Sequence, residues 1–223
     1  MRVLDLFAGR RGWSAPWEGA DVTTLDNDTD GKFGSTFSCD ILEVATLDDL
    51  ERGGGRFDVV LASPPCTAFS VAAMGKNWIR SAGGTIEGPK HPRAELGMRI
   101  AAHTFALIDA YAPRWYVVEN PIGALRVMPF MANRADRRST WYCQWGERRA
   151  KPTDLWTNLR GTAPNGDLPM CAPSAPDHDA APRGARTGTQ GLPDAASRSL
   201  IPLRLAEAVR EAVLRGDGVV VKL

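Results

Sequence analysis

The chain has 223 residues, 43% of them hydrophobic and 24% charged, and a net charge of +1. That size and balance suit one globular domain with room for a small annex, and no run approaches the ~18 apolar residues of a membrane span. The charge is uneven: residues 1–60 carry 6 basic and 12 acidic side chains, and residues 126–160 carry 8 and 3, so two faces with different partners are expected, the basic one placed to meet phosphates or simply to be a solvated loop.

In chain order, Val3–Phe7 is the first strand-like run. It begins so early that no signal peptide fits before it, and a cytoplasmic setting is expected. Val22–Leu25 and Phe57–Ala62 are further apolar runs of strand length. Residues 67–92 follow, with Gly75, Gly83, Gly84, Gly88, Pro89 and Pro92 and few periodic apolar positions, which reads as a long loop. Residues 94–112 predict a helix: Leu96, Ile100, His103 or Thr104, Leu107 and Tyr111 recur at three- and four-residue steps, and Pro113 stops it. Trp115–Glu119 is a fourth strand. Strand, helix, strand implies a parallel sheet with right-handed crossovers, hence an α/β fold. Residues 161–197, rich in Gly, Pro, Ala and Asp, read as an irregular excursion, and a last helix, Leu203–Leu214, lies between Pro202 and Gly216. The expected organisation is a core over 1–160, an insert over 161–197 and a closing segment over 198–223.

Polar residues recur where these strands end, the edge at which open α/β sheets bind ligands. Asp5-Leu6-Phe7-Ala8-Gly9-Arg10-Arg11-Gly12-Trp13 closes the first strand with glycines that allow close backbone approach, ahead of an expected helix N-terminus. Asp26 closes the second and can accept hydrogen bonds from ribose hydroxyls; Asp40 can accept from an exocyclic amine. After the third strand, Pro64 and Pro65 force a turn, so that Cys66 is presented rather than packed. Glu119-Asn120-Pro121 closes the fourth, at the same expected mouth. The cysteines Cys39, Cys66, Cys143 and Cys171 contain no CxxC pair, so neither a disulfide framework nor a zinc ribbon is indicated and no metal is expected. Cys143, Cys171 and His178 could still supply three zinc ligands, with the fourth unidentified.

Taken together, these stretches resemble the S-adenosylmethionine-dependent cytosine-C5 DNA methyltransferases. The matching segments are Asp5–Trp13, Pro64-Pro65-Cys66, Glu119-Asn120-Pro121, Tyr142-Cys143-Gln144-Trp145-Gly146 and Ser199-Leu200-Ile201-Pro202, in family order. The resemblance implies a Rossmann-like methyltransferase fold, a mostly parallel sheet flanked by helices. It implies Cys66 as the nucleophile that adds to cytosine C6 and Glu119 as the acid near N3. It implies S-adenosylmethionine as cofactor, held by Asp5, Phe7, Gly9, Gly12, Trp13, Asp26, Asp40, Pro64 and Ser199. The implied partner is duplex DNA with the target cytosine flipped out, bound by a monomer without membrane association. The loop after Cys66 would close over the base, with Lys76, Arg80, Lys90 and Arg93 on phosphates.

The chain departs from the family pattern in places. Arg11 stands where the family usually has glycine and Thr67 where it usually has glutamine. The family's Gln-x-Arg stretch is replaced by Arg148-Arg149-Ala150-Lys151-Pro152-Thr153, so Lys151 or Arg149 is expected to serve the flipped base. Only about forty residues, Asn158 to Arg198, stand where larger members carry a recognition domain. They include Arg183, Arg186 and Gln190, able to meet bases or phosphates, and a short or relaxed target sequence is expected. The alternatives are an RNA (tRNA) cytosine-C5 methyltransferase and a non-catalytic homologue that binds cofactor or DNA.

Overall fold

The computed structural model describes residues 1–28, 30–160, 168–172, 178–179 and 195–216. The excursion from 161 to 197 therefore lies mostly outside the described residues, Arg183, Arg186 and Gln190 included.

A seven-stranded sheet forms the centre, built from β1 (Arg2–Leu6), β2 (Asp21–Asp26), β3 (Phe37–Ser38), β4 (Val59–Ala62), β7 (Trp115–Pro121), β8 (Arg137–Trp141) and β9 (Pro152–Thr157). The order across it is β3-β2-β1-β4-β7-β9-β8. The first five strands run parallel, and β9 and β8 are antiparallel additions. All four expected strands and the expected helix are present, the helix as α2 (Pro92–Tyr111). Its end is set by Ala112 in the left-handed region (φ 48°) followed by Pro113.

Strand alternation sorts the apolar residues to two faces. Leu4, Leu6, Val60, Ala62 and Val118 face one core with α2 residues Ala101, Phe105 and Ile108. Val3, Val59, Leu61 and Val117 face the other, closed by Leu205, Ala206, Val209 and Val213 of α4 (Leu203–Arg215). Each face buries a continuous apolar layer, which is what makes the mostly parallel arrangement stable in water.

Two expectations are corrected. The stretch after Cys66 is ordered structure: α1 (Val71–Asn77) leads into a hairpin of β5 (Trp78–Arg80) and β6 (Ile86–Pro89). Trp78 is buried, stacks on Phe69 with centroids 5.7 Å apart, and donates from Nε1 to the Ala68 carbonyl at 2.8 Å. Asn77 donates to the Thr67 and Ala68 carbonyls, and its Oδ1 meets His91, whose Nδ1 accepts from the Ala94 N–H as the cap of α2. A single buried tryptophan and side-chain caps hold the segment, and neither produces a periodic pattern. The second correction concerns residues 7–16, which form consecutive turns rather than a helix. Phe7 and Arg11 both take positive φ there (63° and 57°), which a regular helix excludes. Arg11 thus adopts the conformation that the glycine it replaces would adopt freely.

Candidate active site

Chain order reverses between β1 and β4: the strands run outward from β1 to β3, then return to β4 and β7. Such a switch point leaves a crevice at the strands' carboxyl ends. A cavity of about 300 Å³ opens there, between the turns after β1 and the turn after β4. Asp5, Phe7, Gly9, Gly12 and Trp13 line it from one side, Asp26 from the end of β2, and Ser199 from the closing segment. Cys66 and Thr67 complete the wall opposite.

Two of the residues expected on the cofactor lie elsewhere. Asp40 does not line the cavity; its Oδ1 accepts from the Leu42 N–H at 3.0 Å and caps the 3-10 turn Ile41–Glu43. Pro64 stands behind the wall, where its carbonyl accepts from Asn120 Nδ2 at 2.9 Å. Phe33, which has no periodic neighbours to mark it, lines the cavity instead.

The residues present fit a cationic nucleoside. Asp5 is 1% exposed and its Oδ2 has no hydrogen-bond partner among the described residues. Burial pushes its carboxyl up to about 7, against hydrogen bonding from Ser14. A buried, unpaired carboxylate oxygen on a cavity wall calls for a donor or a cation from outside. Asp26 accepts from the Gly9 N–H at 2.9 Å, and burial raises its carboxyl while that N–H holds it down. Trp13 is fixed in the floor by donation from Nε1 to Ser63 Oγ at 2.9 Å. Phe7 and Phe33 offer aromatic surface beside these acids.

The closing segment is held to the cavity by two contacts. A Cβ on Gly12 would lie 3.0 Å from the backbone nitrogen of Ile201, so only glycine lets the two chains pass at this distance. Arg149, 5% exposed, donates to the carbonyls of Ser197, Arg198 and Leu200 at 2.7–3.0 Å. Arg149 is therefore a clamp on the cavity wall. Of the two residues expected to serve the base, Lys151 alone reaches the Glu119 carboxylate.

Cys66 opens the 3-10 turn Cys66–Ala68, closed by Phe69 and Ser70 N–H groups on its carbonyl. Three close approaches set its position: Asn120 to Pro64, a Gly97 whose Cβ would sit 2.6 Å from Ala68 Cβ, and Gly123 against Phe69. At Gly123 a Cβ would fall 2.1 Å from the Phe69 carbonyl oxygen, where the bridge Ser70–Gly123 ties the turn to the end of β7. Burial pushes the Cys66 thiol up; the Lys151 ammonium pulls it down and Glu119 pushes it up further. The thiol, the carboxylate and the ammonium thus share one electrostatic neighbourhood, as the strand-end positions of Cys66 and Glu119 lead one to expect.

Glu119 is buried on β7, and β9 brings Lys151 alongside it through the antiparallel register Pro121↔Thr153. Lys151 Nζ donates to Glu119 Oε1 at 3.1 Å and the Tyr142 hydroxyl to the same oxygen at 2.9 Å. Lys151 Nζ also lies 3.3 Å from the Tyr142 hydroxyl. Burial first, then Glu119, hold the Tyr142 phenol well above its ordinary value, so it stays a donor. With both donors on Oε1, Oε2 is left for a proton shared with substrate. Tyr142 was visible in sequence only as part of a motif, since nothing in its neighbours shows that β8 and β9 fold it back over Glu119.

Several arginines of the basic stretch are engaged in pairs within the molecule. Arg126 forms a fork on buried Asp154 at 2.6 and 2.8 Å, Arg134 pairs with Asp109 and Asp136, and Arg148 with Asp179. The hairpin cations are partly committed too: Lys90 donates to the Gly75 carbonyl and Arg80 to that of Gly84.

The family model for C-5 cytosine-specific DNA methylases matches residues 1–126. A Frog virus 3 (isolate Goorha) protein assigned as a DNA (cytosine-5)-methyltransferase is 30% identical over 176 residues, covering 74% of this chain and 73% of the viral one. The type II methyltransferase M.AplI of Arthrospira platensis is 30% identical over 126 residues, 55% of this chain and 32% of that protein. A solved structure assigned as an E. coli prophage DNA modification methyltransferase aligns with a TM-score of 0.48 and 14% identity, over 70% of this chain and 46% of that one. This chain thus spans most of the viral relative and less than half of the other two.

Proposed function

The chain belongs to the C-5 cytosine-specific DNA methylases, and from that premise we propose that Cys66, Glu119 and Lys151 carry methyl transfer to C5 of a cytosine turned out of duplex DNA. S-adenosylmethionine, when bound, supplies the activated methyl group. Asp5 and Asp26 would hold its amino and hydroxyl groups, Phe7 and Phe33 would flank its adenine, and Gly9, Gly12, Trp13 and Ser199 shape the remaining wall. Cytosine C5 is too weak a nucleophile unaided. Addition of the Cys66 thiolate to C6 converts the ring into an enamine whose C5 can attack. Lys151 favours that thiolate by its charge. Glu119 steadies the proton at N3 through Oε2, while Lys151 and Tyr142 fix the carboxylate through Oε1. Loss of the C5 proton then expels Cys66.

The observation that carries this reading is Cys66 on the wall of the cavity of about 300 Å³, with the hydrogen-bonded Glu119–Lys151 pair acting on its thiol from behind. With about forty residues between β9 and α4, we read the target as short or relaxed. The test is methylation mapping of DNA from cells expressing the protein. Cytosine-C5 methylation at a site of a few base pairs is expected with the wild type and none with Cys66→Ser. A strict site of six or more base pairs overturns the short target; purified protein that methylates tRNA and leaves duplex DNA untouched overturns the DNA substrate.

A further inference from the structure

Three potential metal ligands outside the catalytic centre meet at the turn that carries Tyr142. Cys143, in the 3-10 turn Tyr142–Trp145, is buried; Cys171 and His178 come from the excursion after β9. Their ligand atoms all lie within 4.8 Å of one another, and Cys171 Sγ is 3.5 Å from His178 Nδ1. Tetrahedral zinc, with Zn–S of about 2.3 Å and Zn–N of about 2.0–2.1 Å, sets its sulfur and nitrogen ligands about 3.5 Å apart and two sulfurs about 3.8 Å apart. The Cys171–His178 pair thus stands at the spacing a zinc ion requires, and Cys143 lies within 4.8 Å of both. Thiolate with imidazole is also the donor set that selects zinc over magnesium or calcium.

A second observation explains why a staple belongs here. Residues 168–172 and 178–179 have little core of their own: Met170 is 54% exposed, and of their apolar side chains Leu168 packs on the α4 face. Their other ties include the Thr140 hydroxyl donating to the Pro169 carbonyl, the Asp179 N–H on the Arg148 carbonyl, the Arg149–Asp179 bridge and the exposed Arg148–Asp179 pair. Exposed pairs contribute little, and short segments without a core usually need a covalent or metal crosslink. His178 packs its ring against Trp141 with centroids 6.1 Å apart, which leaves Nδ1 turned to Cys171 Sγ at 3.5 Å and builds it into the cluster.

We propose that Cys143, Cys171 and His178 bind one structural zinc ion that pins the excursion after β9 to the turn carrying Tyr142. Binding displaces the two thiol protons to solvent and takes His178 as neutral imidazole through Nδ1. Among the described residues no further Cys, His, Asp or Glu joins the three, so the proposal counts two sulfurs and one nitrogen from the protein. Elemental analysis of the 223-residue chain purified without chelator is expected to give about one zinc per chain, falling to roughly a tenth or less in Cys171→Ser and in His178→Ala. Cobalt added to chelator-treated wild type is expected to show tetrahedral ligand-field bands with the charge-transfer intensity of two thiolates. That spectrum reads the site even where a variant fails to fold. Wild type that carries no zinc and gives no such cobalt spectrum overturns the site, as does zinc that persists unchanged in both variants.

Discussion

Glu119, Lys151 and Tyr142 form a buried unit in which each member constrains the others. Replacing Lys151 by methionine leaves a buried carboxylate without its counter-charge, at a cost of about 3–5 kcal/mol in stability. Glu119→Gln keeps the shape and removes the proton holder, so kcat is expected to fall about 10²- to 10⁴-fold with little change in cofactor affinity. Steady-state kinetics with both substrates varied separates the two effects. Asp5 gives a prediction of the opposite kind. Its folded carboxyl sits near 7 against an ordinary 3.8, so the folded protein holds a proton that the unfolded chain releases. The stability this contributes is full below about pH 4 and is lost as pH rises to 7, by about 4 kcal/mol at 1.36 kcal/mol per unit. Asp5→Asn is expected to flatten that decline in thermal melts at pH 5 and 8, and to weaken cofactor binding. Cys66, Glu119 and Asp5 were legible in sequence because each stands in, at the end of or just past an apolar run, a local signal. Tyr142 as partner of Glu119, and Arg149 as a clamp, were not, because their neighbours in space are 23 and about 50 residues away in the chain.

At the level of elements, the first, second, fourth and seventh strands and α2 were readable because each is a continuous apolar run or a periodic face. The strands β8 and β9 were not: Arg137–Trp141 carries two arginines and a serine, and Pro152–Thr157 buries Asp154 under Arg126 and Ser139. A buried ion pair makes a strand look polar in sequence. The same pairing turns an apparent basic surface into internal structure. The joint between the first turns and the closing segment is equally invisible to pattern, yet it decides the cofactor wall. Gly12→Ala forces Cβ against the Ile201 backbone, 3.0 Å away. Overpacking of this kind costs about 1–3 kcal/mol, and here displacement of residues 199–201 is expected to raise the dissociation constant for S-adenosylmethionine at least tenfold. Calorimetric titration checks it, with kcat at saturating cofactor expected to change far less.

Across the whole molecule, the acidic N-terminal half lines most of the cavity and the later strands carry Glu119 and Lys151, with the Cys66 thiol at their seam. That thiol rests in a setting where burial outweighs the nearby ammonium, unlike the low-pKa cysteines of redox sensors, which ionise near neutrality. In the resting protein Cys66 is therefore a poor target for electrophiles: iodoacetamide at pH 7.5 is expected to label it more slowly than it labels a cysteine in a short peptide, as followed by peptide mass spectrometry. Peroxide discriminates by the same thiolate character, so the unengaged enzyme should outlast exposures that inactivate thiol-dependent proteins with acidic cysteines.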